Sequence, residues 1–481
     1  MHRVTRVALT CLLAPLATAQ TAAVHRTNFN SSFALTPAQI SSAQLDTAAA
    51  TSLQNIINFD RSQLAFGGPT QDDFYTLPPR NATNLRPGHL IKLQQSTDPT
   101  AYTIPPGAAL SRLLYTTTNY NGTVLPTSGF ILWPFQPRPT KSNRVPVVVW
   151  THGTSGFFAD QAPSSHRGLW YENSAVFPLA EAGYAVFAPD YAGLGIARSW
   201  DGAPIPHQYQ AAPANARDAL YGLRAARQAF PRQLGDEFVI FGHSQGGGVA
   251  WAAAEALESD AADFADLIEG YRGTIVASPR AVTWDSPETF IVPTVGVMLA
   301  SIFPEFGIEE WLTELGVKRL ELVREVRGGI AAVQQLFFGI GGLVRKGWDA
   351  TWYKGAFARL MDPGARKFRG PMLVLQGDSD VYVPLNTTEK VVAETLEKFP
   401  DSDLELYVAR GVGHTPILHA VKQYWLRWID DRIDGRPLAR KGGVRTDVNS
   451  WLPAEWYQKS KFAFTLWTWL PEYQYESTTA L

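Results

Sequence analysis

The feature that most constrains this chain is a pentapeptide, Gly242-His243-Ser244-Gln245-Gly246, set between two segments of opposite texture. Before it, Phe238-Val-Ile-Phe241 is a short apolar run of strand formers. After it, beyond Gly247 and Gly248, the Ala-rich stretch from Val249 to Leu257 reads as a helix. Glycines two before and two after a serine permit a strand-to-helix turn too tight for side chains at those positions, the nucleophile elbow. Such a turn lifts the serine hydroxyl to a helix N-terminus, where free N–H groups and the helix dipole favour negative charge. A glycine-rich structural turn is the competing reading.

An elbow needs a sheet around it, and the flanking sequence supplies one. Short apolar runs recur at Val145–Trp150, Tyr184–Ala188, Phe238–Phe241, Thr274–Ala277, Met372–Leu375 and Leu404–Val408, with helical stretches between them. Buried runs alternating with helices indicate a mostly parallel sheet covered on both faces. One of those helices, Asn215 to Phe230, carries Ala216, Leu220, Leu223, Ala226 and Phe230 on a single stripe, which is core packing. Upstream, Leu113–Thr118 and Ser128–Trp133 flank Asn121-Gly122 and read as an antiparallel pair.

The rhythm breaks between Ala277 and Met372, where about ninety residues stand in place of a short crossover. They include the Leu-, Glu- and Arg-rich stretch Ile308–Val326 and the apolar Gly328–Phe338. Inserts at the carboxyl ends of parallel strands cover the ligand site, so this one is expected to be a helical cap over residues 282–365. A structural lobe without a binding role is the alternative. The chain of 481 residues then divides into a core of 106–281 and 366–440, an N-terminal helical and irregular region of 20–105, and a C-terminal tail. The N-terminal region is expected to hold one helix, Pro37–Ile57. The tail, 441–481, carries Trp451, Trp456, Trp467 and Trp469 and is expected to pack back on the core.

Residues 1–19 have the layout of a signal peptide: His2, Arg3 and Arg6, then the apolar stretch Val7–Leu16, then Ala17-Thr18-Ala19 as cleavage site. The apolar stretch is well short of the roughly 20 residues that span a bilayer. Secretion is the expectation. It agrees with four N-glycosylation sequons, at Asn30, Asn81, Asn121 and Asn386. The one cysteine, Cys11, lies inside the signal, which removes thiol nucleophiles, Cys-based zinc sites and disulfides from the mature chain. A net charge of −2 gives no basic surface for nucleic acid or for an anionic membrane, so neither is an expected partner.

A serine hydroxyl is a poor nucleophile without a base. On folds that carry this elbow the partners follow in the order serine, acid, histidine. Only His414 and His419 come late enough. His414, in Gly411-Val-Gly-His-Thr-Pro416, follows the last apolar run and is the candidate base; His419 reads as a packed or surface residue on the next helix. The acid should follow Met372–Gln376, where Asp378 and Asp380 compete. Asp380, in Gly377-x-x-Asp380-x-x-Val383-Pro384, is favoured to hold the imidazole, with Asp378 a loop cap. A tetrahedral oxyanion needs donors. The backbone N–H of Gln245 is one, and Thr154 in Thr151-His-Gly-Thr-Ser-Gly156 is the choice for the second, with Ser155 as alternative. His152 is read as a brace for that loop.

These segments, with Gly183-Tyr-Ala-Val-Phe-Ala-Pro-Asp190-Tyr-Ala-Gly-Leu-Gly195, resemble the secretory lipase family, the lipase A type of the α/β-hydrolase fold, over about residues 105–425. The resemblance implies an α/β-hydrolase fold with a helical lid where this chain has its insert. It implies hydrolysis of carboxylic esters, often of fatty acyl chains, without a cofactor or metal, and a structural role for Asp190. The implied partner is a small-molecule ester or lipid, with room for transient contact with a lipid interface. The chain departs from many fungal members in having His243 before the serine rather than Tyr, and in having no disulfides. A serine peptidase, an acyltransferase acting on a small metabolite, and an inert binding protein on the same scaffold are the competing functions. Glu309, Glu310 and Arg324, which could anchor a peptide terminus, read as a solvated helix face.

Overall fold

The computed structural model describes residues 32–79, 86–140, 143–280, 291–453 and 456. The expected signal peptide, Asn30, Asn81, Trp467 and Trp469 lie outside them.

Each of the six apolar runs read as strands of the parallel sheet becomes a strand. Among the described residues ten strands form one sheet: β1 (Leu90–Gln94), β2 (Ala109–Thr118), β3 (Val124–Trp133), β4 (Val145–Thr151), β5 (Ala185–Pro189), β6 (Leu234–His243), β7 (Tyr271–Ala277), β8 (Met372–Gly377), β9 (Leu404–Ala409) and β10 (Gly443–Val448). Their order is β1-β2-β3-β5-β4-β6-β7-β8-β9-β10. The sheet is antiparallel from β1 to β5 and parallel from β5 through β10. The β2–β3 hairpin turns at Asn119–Gly122, with Gly122 at φ 84°, where a side chain would be strained. The central strands β4, β5 and β8 are buried along their whole length, as a sheet covered on both faces requires.

The helices are α1 (Pro37–Ser42), α2 (Thr47–Ser62), α3 (Val176–Glu181), α4 (Ala212–Ala229), α5 (Gln245–Ser259), α6 (Ala265–Ile268), α7 (Ile291–Leu299), α8 (Glu314–Val326), α9 (Ile330–Phe337), α10 (Trp352–Met361), α11 (Leu385–Lys398), α12 (Pro416–Ala420) and α13 (Lys422–Ile433). On α4 the stripe Ala216, Leu220, Leu223 and Ala226 is buried against the sheet, as its spacing requires. Helices α7 to α10 fill the insert expected to be a cap.

Three boundaries differ from the sequence expectation. The single N-terminal helix is two, because Asp46 turns the chain and caps α2 by accepting from the Ala49 N–H at 2.7 Å. The N-terminal region is also not separate from the core, since β1 is the sheet's first strand. Its helices serve the insert: Ser52 on α2 donates to Gln335 on α9 at 2.9 Å, and Arg319 on α8 donates to the Ala43 carbonyl at 3.1 Å. The described part of the tail attaches through β10, which lies parallel to β9, while its described tryptophans stand in solvent: Trp451 is 94% exposed and Trp456 70%. Backbone pairing with an open sheet edge needs no apolar side chain, so a polar strand suffices there.

Candidate active site

The elbow forms as its glycines require. Ser244 sits between the end of β6 and the start of α5 with φ 58° and ψ −120°, a sparsely populated conformation for a residue with a side chain. A Cβ at Gly242 would overlap the Gly246 carbonyl and the Thr151 hydroxyl; one at Gly246 would overlap the carbonyls of Thr151 and His152. The Thr151 hydroxyl donates to the Gly246 carbonyl at 2.8 Å and pins the end of β4 to the elbow. The same close approach brings the start of the loop after β4, at His152, against Gly246 in the first turn of α5. The Gln245 N–H belongs to that turn, where helix geometry provides no intrahelical acceptor.

Both residues favoured as partners of the serine are in one place. His414 follows β9 and Asp380 follows β8, and His414 Nδ1 lies 2.7 Å from Asp380 Oδ2. Asp380 also accepts from the N–H groups of Tyr382 and Val383, both at 2.9 Å, and from the Gln376 amide at 3.2 Å. Burial alone would raise its pKa. The adjoining imidazole and the hydrogen bonds outweigh that and hold the carboxyl below its ordinary range. Asp378 points elsewhere: it accepts from the Gly411 N–H at 2.6 Å and pairs with Arg410, which is the work of a loop cap. His419, on α12, is exposed, with Nε2 3.0 Å from the Ser174 hydroxyl.

The loop after β4 is held from several directions. His152 is buried, its ring nitrogens 2.7 Å from the Gly153 carbonyl and 3.3 Å from that of Asp190, and it stacks on Tyr191. Burial pushes its pKa down to about 3, so it braces this loop as a neutral ring. Asp190 accepts from the Ser128 hydroxyl at 2.6 Å and from the N–H and hydroxyl of Ser164, tying the end of β5 to neighbouring segments. Thr154 and Tyr209 join hydroxyls at 2.9 Å. The Ser155 carbonyl accepts from Ile330 at the start of α9, at 3.3 Å.

The insert reaches the site from two sides. Tyr209, the partner of Thr154, packs among Val292, Val295 and Met298 of α7. On the other side Gln334 of α9 donates to the Tyr382 hydroxyl at 3.4 Å, and the Tyr382 ring lies 5.3 Å from that of His414. Phe337 is core within the insert, while Phe338 is half-buried against Tyr382. Glu309, Glu310 and Arg324 are exposed. Beside the Thr154 loop a cleft of about 650 Å³, open mouth included, runs between Ile57 and Leu64, Ser155, Trp170, and Val326 and Ile330 of the insert. Ser244, Asp380 and His414 do not line it.

Gln376, Tyr171 and Tyr209 escaped the reading of the sequence. Gln376 ends a recognised strand, and its side chain holds Asp380 and the Val383 carbonyl; its place just before Gly377 could have marked it. The two tyrosines reach the site only through the fold. Among the described residues no group of three His, Cys, Asp or Glu side chains is placed to hold a metal ion.

The arrangement places a hydroxyl at a helix N-terminus, with the Gln245 N–H in its first turn, and an imidazole–carboxylate pair whose histidine carbonyl is bonded to the residue before the serine, groups of the kind that acyl transfer through a serine uses. Solved structures share the fold. Lipase A of Candida antarctica in its closed state superposes with a TM-score of 0.62 at 17% identity, covering 86% of this chain and 95% of that one. The rice cell wall degrading esterase LipA of Xanthomonas oryzae gives 0.53 at 18% identity, covering 73% of this chain and all of that one, 100%. No curated protein sequence matches significantly. The family model of the alpha/beta hydrolase family matches residues 147–425, more than half of the chain and every residue of the elbow and the His414–Asp380 pair, and the chain belongs to that family.

Proposed function

We propose that this protein is a secreted serine hydrolase of carboxylic esters, an esterase or lipase. The observation that carries the reading is Ser244 at the apex of a strained elbow, with His414 of the His414–Asp380 pair bonded through its carbonyl to His243, the residue before the serine. The Ser244 hydroxyl attacks the ester carbonyl as His414 takes its proton, and Asp380 holds the imidazolium that forms. The N–H groups of Thr154 and Gln245 receive the oxyanion. His414 returns the proton to the departing alcohol, leaving an acyl-enzyme. Water then attacks that ester by the same route and releases the acid and free Ser244.

The fold shared with a lipase and an esterase favours an ester over an amide as substrate. The signal-like residues 1–19 support secretion. Asn121 and Asn386 are exposed, as glycan acceptors must be. No described helix is long and apolar enough to cross a membrane.

The test is a fluorophosphonate probe, followed by p-nitrophenyl esters of increasing chain length beside aminopeptidase substrates. Wild type should be labelled at Ser244 and should cleave esters; Ser244→Ala should do neither. His414→Ala should abolish turnover, while His419→Ala should keep it. Absence of labelling refutes the hydrolase reading, and cleavage of amides alone refutes the ester.

A further inference from the structure

We infer that His243 is a positioning residue for His414, the centre of a hydrogen-bonded chain running from the Tyr171 hydroxyl, packed on Gly153, to the His414 carbonyl. The inference rests on the acyl-transfer reading above and names what keeps its three loops in register.

His243 precedes Ser244 and is fully buried. Its Nε2 lies 3.0 Å from the His414 carbonyl oxygen and its Nδ1 lies 2.6 Å from the Tyr171 hydroxyl. A carbonyl only accepts, so Nε2 carries the proton and donates. Nδ1 is then a lone pair, and the Tyr171 hydroxyl donates to it. The Tyr171 hydroxyl also packs against the backbone of Gly153. Both bonds then run in one direction, from the Tyr171 hydroxyl to the ring and from the ring to the His414 carbonyl, which also accepts from the Ser278 hydroxyl at 3.5 Å. Burial, with the neighbouring His414, holds His243 well below its ordinary pKa, so the ring stays neutral, and its partners select this tautomer.

Two backbone features show how closely the chain is fitted. Gly153 has no room for a side chain: a Cβ there would overlap the Tyr171 hydroxyl. Tyr171 is delivered by three successive residues with left-handed φ, Leu169 at 56°, Trp170 at 51° and Tyr171 at 69°. Side-chain-bearing residues rarely adopt that conformation, and a run of three needs compensating contacts. Gly153 adjoins Thr154, His243 adjoins Ser244, and His414 receives the last bond. One chain thus touches all three loops without contacting substrate.

Removing it should change how His414 is held, not how substrate binds. His243→Phe keeps a ring in the site and removes both bonds. We expect kcat to fall about 100-fold with KM within about twofold, the cost of a misplaced catalytic group. The acid limb of kcat/KM should move to lower pH, because an imidazolium held less firmly against Asp380 loses protons more readily. The downfield proton resonance expected between His414 and Asp380 should broaden. His243→Gln keeps a donor for the His414 carbonyl and should recover to within about tenfold of wild type. Should His243→Phe not fold, Tyr171→Phe, which deletes one hydroxyl, must show the same direction in kcat and acid limb. If these variants lower thermal stability but leave kcat, the acid limb and the resonance as in wild type, His243 is packing only and the inference falls. Because that comparison starts from an active wild type, it is distinct from failure of the hydrolase reading, in which wild type itself is inert.

Discussion

His414 Nδ1 and Asp380 Oδ2 stand 2.7 Å apart, and Asp380 is fixed by two backbone N–H groups and the Gln376 amide before His414 is counted. The carboxylate is therefore preorganised and does not depend on the imidazole for its place. Asp380→Asn keeps the shape but favours the wrong imidazole tautomer, and kcat should fall on the order of 10⁴-fold in p-nitrophenyl ester assays. The lowered pKa of Asp380 means that its stability contribution is present above about pH 4 and is lost as pH falls through the folded value. Ionisation of Asp380 should leave no inflection in activity between about pH 5 and 9.

The elbow makes a separate prediction about Gly246. A Cβ there meets backbone carbonyls of Thr151 and His152, which cannot swing aside as a flexible side chain could. Gly246→Ala should destabilise by about 3 kcal/mol or more through overpacking. Movement of the β4 end should also displace Thr154, so the residual folded protein should lose activity beyond its loss of Tm. Wild-type Tm and turnover in this variant would contradict the close approach of the two segments.

The central strands and the elbow were legible because both leave local marks. Buried β-branched runs such as Val145–Trp150 leave no other reading inside a mixed α/β chain, and the paired glycines follow from sterics within five residues. Asp380 over Asp378 was legible from the turn chemistry of its loop. The edges of the sheet were not. In β10, Gly443-Val-Arg-Thr-Asp-Val448, exposed residues alternate with half-buried ones and Arg445 and Asp447 pair with each other, so the strand reads as loop until β9 is beside it. The Tyr171–His243 bond joins residues 72 apart in sequence, and no local pattern encodes it. Trp451 and Trp456 misled for a related reason: an aromatic residue signals apolar area, but not which surface covers it.

Asp190 should make stability depend on pH in the opposite sense to Asp380. Burial pushes its carboxyl up to about 6 from 3.8, despite hydrogen bonds from Ser128 and Ser164. A raised folded pKa means the native state prefers the protonated acid, so stability is lost as pH rises from about 4 through 6. Two units correspond to roughly 3 kcal/mol. Asn cannot ionise and can still bond both serines, so Asp190→Asn should gain on wild type by about that amount between pH 4 and 7 in paired urea melts. A constant difference between the two proteins across that range would show that Asp190 does not titrate there.

The oxyanion donors can be tested without altering a side chain. Thr154 stands in a loop tied to Tyr209 through its hydroxyl and to α9 through the Ser155 carbonyl, so mutation of the side chain would perturb both packing and chemistry. Replacing the Thr154 residue by its α-hydroxy acid converts only the backbone N–H to an oxygen. If that N–H receives the oxyanion, kcat should fall about 10²- to 10³-fold while KM changes little, since the bond forms fully only in the tetrahedral state. The same exchange at Ser155 should cost less than about threefold, because a donor not aimed at the developing charge contributes little to its stabilisation. The reverse ranking would assign the second donor to Ser155. Equal, small effects at both positions would place that donor outside the loop after β4.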